Sequence, residues 1–228
     1  MKTVITYIIA FVSLVSLCVL VPQKAVSGTP DTQGALKNLG QKDSRADDKA
    51  HAYEIFEKIL ILSNESDISE NRDVFKEIEK LYLEIIQEYP DTALAQECYW
   101  RLIKHYLEKS NPPMFEKAEN LYGEFLKHYP ESVIKNLIVD TLSKSYYKSR
   151  DWEKLITLNA PLVQTVYKTK KLSNPSPLFM YAEAQFNLGN LKEAEKAYGS
   201  LIELSPKSRE ASVSRKRLDE MHNRNKEN

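Results

Sequence analysis

Three short phrases recur along the chain: LYLEIIQEYPDT at 81–92, LYGEFLKHYPES at 121–132 and AYGSLIELSPKS at 197–208. Each closes a helical apolar pattern with a proline, at Pro90, Pro130 and Pro206. Proline has no backbone N–H and its ring clashes with the preceding turn, so a helix stops there. The first two prolines lie 40 residues apart and the next gap is 76, two intervals of 38. A degenerate unit, DWEKLITLNAPLVQTVY at 151–167, fills the interval that lacks a clear copy. A period of this size belongs to helical-hairpin arrays, whose single units cannot bury their own apolar faces and must stack.

Composition agrees with helices and removes other classes. Six glycines in 228 residues do not suit an all-β fold with many tight turns or a chain built on glycine-rich phosphate loops. Two cysteines exclude a disulfide framework. Thirty-two basic residues balance 32 acidic ones, which argues against nucleic acid as the partner. No HExxH, GxSxG or phosphate-loop motif is present, and the four histidines, His51, His105, His128 and His222, are too scattered for a metal site. The expectation is therefore a non-enzyme without a cofactor or metal. Cys98 reads as a small apolar core residue. Acidic pairs such as Glu193/Glu195 read as solvated helix faces.

The clearest unit is LFMYAEAQFNLGNLKEAEKAYGSLIELSP, residues 178–206. Leu178, Tyr181, Ala182 and Gln185 share a stripe of a first helix, and Leu188-Gly189-Asn190 turns the chain. Ala194, Tyr198 and Leu201 form the stripe of a second helix that Pro206 ends. Small residues at Ala182 and Ala194 let the two helices approach. In this order the eight positions resemble the tetratricopeptide repeat, a helix–turn–helix unit of roughly 34 residues; only Gln185 departs, where the family prefers an aromatic residue. The unit ending at Pro130 offers Tyr99, Leu102, Ile103, Tyr106, Ala118, Tyr122 and Phe125, with a longer turn containing Pro112-Pro113. The middle unit offers Val139, Leu142, Ser143, Tyr146, Leu155, Asn159 and Leu162; Leu155 and Asn159 are departures, and a wider hairpin is expected there. The first unit keeps Ile78, Tyr82, Ile85 and Pro90. The phrase YPDTALAQECYWRLIKHY is similar to the subgroup found in bacterial cell-envelope proteins of the barrel-assembly lipoprotein and Tol–Pal coordinator type.

The resemblance implies an all-α, right-handed superhelix of antiparallel hairpins, about four of them, with a C-terminal capping helix. Helices are expected over 48–63, 70–89, 92–109, 114–129, 132–149, 151–168, 177–188, 191–204 and 207–222. It also implies a partner-binding groove lined by first helices. Carried over, its positions are Trp100, Lys104 and Leu107 in the second unit, Asp140, Lys144, Tyr147 and Lys148 in the third, and Phe179, Glu183, Phe186 and Asn187 in the fourth. Aromatic rings among charges suit a protein or peptide partner, the rings supplying buried area and the charges setting register. Lys144 and Lys148 form a like-charge i, i+4 pair that a ligand carboxylate would relieve.

Ahead of the array, residues 1–27 have the layout of a secretory signal peptide: Lys2, an apolar run from Val4 to Val21, Pro22, and Ala25-Val26-Ser27 before a cut at Gly28. Two other readings fit the same run. Its 18 residues are close to the minimum for an uncleaved membrane anchor, and Cys18 is a candidate for lipidation, although Leu17 sits where a small residue is wanted. Removing the segment takes away Lys2 and Lys24 and no acid, which leaves 30 basic against 32 acidic residues. Residues 28–47 then read as a flexible tether, 48–223 as the solenoid and 224–228 as a disordered tail. The expected location is the periplasm or cell envelope, with membrane association through the N-terminus. The sequon Asn64-Glu65-Ser66 acts only in a glycosylating secretory pathway. Beside the interaction module stands a second reading, an assembly subunit of an envelope complex that docks through outer faces or its cap.

Overall fold

The computed structural model describes the backbone of residues 32–65 and 71–227, and the side chains of 47–64 and 71–223. Nine α-helices and no strand occur among the described residues. They are α1 (Thr32–Glu65), α2 (Arg72–Glu88), α3 (Ala93–Glu108), α4 (Phe115–His128), α5 (Ile134–Ser149), α6 (Trp152–Thr169), α7 (Pro175–Asn187), α8 (Leu191–Leu204) and α9 (Arg209–Glu227). The described residues from Ala46 onward belong to one compact unit, and residues 32–45 belong to another. None of the described helices is long and apolar enough to cross a membrane. The signal segment, Cys18 and Ser66 lie outside the described residues.

The repeated phrases end one helix and begin the next. After Tyr89 and Pro90, the Thr92 hydroxyl donates to the Tyr89 carbonyl at 2.8 Å and accepts from the Ala95 amide at 3.1 Å, capping α3. Ser132 accepts from the Ile134 amide at 3.2 Å, and Ser208 accepts from the Ala211 amide at 3.0 Å at the start of α9. Asn71, Asp151 and Asn174 cap α2, α6 and α7 through their side-chain oxygens. Gly189 turns the α7–α8 hairpin at φ 78°, where a side chain would be strained.

Helices pair as hairpins α3–α4, α5–α6 and α7–α8, with α9 packed on α8 and α7. Neighbouring first helices also touch, α3 against α5 and α5 against α7. Second helices make no comparable contact with one another. The stack therefore bends with first helices on the inside, a helical-repeat superhelix closed by α9. The small positions behave as their size dictates: Ala118, Ala182 and Ala194 are fully buried at helix crossings, with Phe125, Tyr198 and Leu201 filling the space around them.

α1 begins at Thr32, within the residues read as a tether. α9 runs to Glu227 through the residues read as a tail. In the third hairpin the departing residue is Asn159, on α6. That residue is buried and its Nδ2 donates to Ser143 Oγ and to the Leu155 carbonyl, both at 2.9 Å, so a small polar pair replaces the aromatic packing of its neighbours.

Candidate functional site

The inner layer is built by α3, α5 and α7, and the eleven residues expected to line it divide into surface and interior. Trp100 is half-buried on α3 and its Nε1 donates to Thr141 Oγ1 on α5 at 2.9 Å. Thr141 in turn donates to the Leu137 carbonyl at 2.8 Å. The ring is thus fixed across two repeats. Arg101 and Lys104 stand 5.7 and 5.9 Å from its centroid, within cation–π range. Leu137, 44% exposed, adds an aliphatic surface on α5 that the sequence reading missed. Its signal was available: it lies one turn before Thr141 on the exposed side of α5.

The lysines differ from one another. Lys104 approaches Glu108 at 3.7 Å, and Lys144 pairs with Asp140 at 2.5 Å. The expected repulsion between Lys144 and Lys148 is therefore already offset by Asp140, one turn earlier on the same helix. Lys148 is exposed and has no carboxylate within 4.0 Å among the described residues. Beside it Tyr147 is half-buried, its ring edge-on to Trp152 at 5.7 Å. Burial, and then the negative charge of Glu183, push the Tyr147 hydroxyl above its ordinary range.

Two expected groove residues belong to the interior. Leu107 is 5% exposed and sits in the main core, because α3 turns that position toward its neighbours. Glu183 is 3% exposed and accepts from Tyr198 Oη at 2.5 Å, Arg217 Nε at 2.9 Å and Arg217 Nη2 at 3.2 Å. The capping helix α9 has thus occupied the inner face of α7. The Arg217 guanidinium also stacks 5.5 Å from the centroid of Phe186. Phe179 is half-buried against the second core, and Asn187 donates back to the Glu183 carbonyl at 2.7 Å. The surface left open is the part carried by α3 and α5.

A second set of contacts, unread in the sequence, ties the repeats together. Glu79 on α2 accepts from Tyr106 Oη on α3 at 2.8 Å and from Lys117 Nζ on α4 at 2.6 Å. Glu119 on α4 does the same for Tyr146 on α5 and Lys154 on α6, at 2.8 and 2.6 Å. In both cases the lysine also lies over the tyrosine ring, at 5.2 and 5.8 Å. Both tyrosines are held protonated, first by burial and then by the carboxylate they donate to. The spacing of 40 residues between Glu79 and Glu119, and again between Tyr106 and Tyr146, was the available signal.

Cys98 is fully buried and burial pushes its thiol far above the ordinary range, so the core reading of this residue is the right one. These features define an all-α helical-repeat scaffold with a partly covered inner face. Residues 178–208, the α7–α8 hairpin and the turn that closes it, match the tetratricopeptide repeat, a unit that generally mediates protein–protein interaction. No curated protein matches the chain.

Proposed function

We propose that the protein is an exported, non-catalytic interaction module of the bacterial cell envelope that holds a peptide or a partner helix on the inner face of α3 and α5. One observation carries the reading: Trp100 is locked to Thr141 across two repeats with Lys104 over its ring, while α5 carries exposed Leu137 and Lys148 and half-buried Tyr147. A rigid aromatic anchor with a charged rim is how interfaces concentrate binding energy, and rings already fixed lose little entropy on binding. The signal-like N-terminus supports export, and the likeness of the YPDT phrase to envelope repeats supports the location.

The test is site-specific photo-crosslinking in the native cell. Crosslinkers at Lys104, Lys144 and Lys148 are expected to trap one common partner, and crosslinkers at the outer-face residues Lys80 and Glu195 are expected to trap none. Reversing charge with Lys144→Glu and Lys148→Glu should then reduce capture while the far-ultraviolet helix signal stays unchanged. Crosslinks confined to the outer positions would transfer the assignment to the assembly-subunit reading.

A further inference from the structure

α6 is where the array changes character. The clamp that ties each repeat to the next joins α2 to α3 and α4 through Glu79, and α4 to α5 and α6 through Glu119. The same three positions at the following junction are Ile156, Gln185 and Glu193, counted from the repeat register. None of them can rebuild the clamp, because the acceptor carboxylate has become an aliphatic side chain and the lysine has become an acid. Glu193 finds a different donor, Tyr167 Oη at 3.0 Å, and Lys196 lies 3.9 Å from the same ring. Tyr181 also approaches Glu193, at 3.4 Å.

The consequence is that the two ends of α6 are tied to different neighbours. Its N-terminal end is held to α4 by Lys154, and Leu155 belongs to the core of the first repeats. Its C-terminal end is held to α8 by Tyr167, and Val163 and Val166 belong to a separate core shared with α7, α8 and α9. The stretch between them passes from one core to the other, with Leu158 packed on the first and Ala160 and Leu162 on the second. Pro161 sits inside it and has no N–H for the Thr157 carbonyl. Asn159 is fully buried with its Oδ1 unpaired, where the aligned Tyr122 and Tyr198 supply rings. A buried polar atom without a partner is a standing cost that a shift of the helix can relieve.

We infer that α6 is a hinge, bending between Ile156 and Leu162, that lets the α7–α9 body move against the body formed by the earlier repeats. The sliding surface is the contact of α5 with α7, where Met180 and Ala184 of α7 reach into the first core. Because Tyr147 and Lys148 lie on α5 and Phe179 and Phe186 on α7, bending alters the width of the inner face. This consequence for recognition rests on the groove reading above; the hinge itself does not.

Pulsed spin-label distance measurement on the full chain without partner tests it. Labels at Lys127→Cys and Lys192→Cys span the hinge, and labels at Lys80→Cys and Lys127→Cys stay within the first body. A Cys18→Ser background leaves only Cys98, which is buried and unreactive. The spanning pair is expected to give a distribution roughly twofold broader than the control pair, since a hinge samples a range of closures. The variant Asn159→Leu/Pro161→Ala should narrow it to the control width. Amide exchange in the wild type gives a second reading: residues 157–163 should exchange faster than the matching stretches of α4 and α8. Equal widths for the two pairs, with exchange at 157–163 no faster than in α4, would overturn the hinge. They would leave the crosslinking test of the groove unaffected.

Discussion

Replacing Arg217 by methionine isolates the bond that closes the array. Glu183 is 3% exposed and receives two parallel N–H donors from Arg217, at 2.9 and 3.2 Å, besides the Tyr198 hydroxyl. Methionine keeps the apolar stem against Phe186 but leaves the carboxylate buried with one neutral donor. Breaking a buried ion pair from one side costs about 3–5 kcal/mol, most of it from the charge left behind. The Arg217 side chain is 35% exposed, so water reaches the vacated place and the expected loss falls to about 2–3 kcal/mol. Urea unfolding of the full chain, followed by circular dichroism, reads this as a fall in midpoint. For a chain of this size, thermal melting should drop by about 5–10 °C. The variant Arg217→Met/Glu183→Gln removes the orphaned charge, and it should recover roughly half of the loss or more. A single-mutant loss below about 0.5 kcal/mol would show the pair acting as an ordinary surface ion pair. A double mutant no more stable than the single one would show that the stranded carboxylate is not the cost.

Two other side chains have testable consequences for stability. His105 is buried, stacked on Phe75 at 4.0 Å with Nε2 3.2 Å from the Phe75 carbonyl, and burial holds its pKa below the ordinary histidine value, against the smaller opposing pull of that carbonyl and Glu79. The unfolded chain therefore binds the proton more tightly, so the histidine's contribution to stability is complete above about pH 6.5 and is lost as pH falls toward the folded pKa; urea midpoints measured from pH 7.5 to 5 should fall in the wild type and flatten in His105→Gln. Arg150 closes α5 at φ 60°, a left-handed position that glycine occupies without strain. Arg150→Gly should raise stability by about 0.5–1 kcal/mol, read as a higher melting temperature.

The fold was legible because its code is periodic and local. The prolines at 90, 130 and 206 mark helix ends whatever the surroundings, and the apolar stripes of α7 and α8 follow from a period of 3.6. The site was less legible because it depends on which neighbours a side chain meets. Glu183 and Leu107 occupy positions that line a groove when nothing covers them; here α9 reaches over the first, and the core takes in the second. Nothing in α7 alone announces that Arg217, 34 residues later, will bond to Glu183. The clamp of Glu79, Tyr106 and Lys117 is an intermediate case: its spacing repeats in the sequence, but its meaning needs the stacked geometry of three helices.

The same contrast bears on what the inner face can recognise. The Lys144/Lys148 pair suggested a place for a ligand carboxylate, yet a lysine whose own helix supplies a carboxylate one turn away has little charge to offer. Lys144 must first release Asp140, and Lys104 must release Glu108. A partner carboxylate at either place exchanges one ion pair for another, and such exposed exchanges are worth little. Affinity then has to come from Trp100, Leu137 and Tyr147, with Lys148 as the one inner-face lysine of the described set that has no acid within reach. The proposed partner surface would thus be apolar and aromatic in its energy and charged mainly in its selectivity. Raising the salt concentration should consequently slow association more than it speeds release, since screening acts on long-range steering and not on a ring in contact.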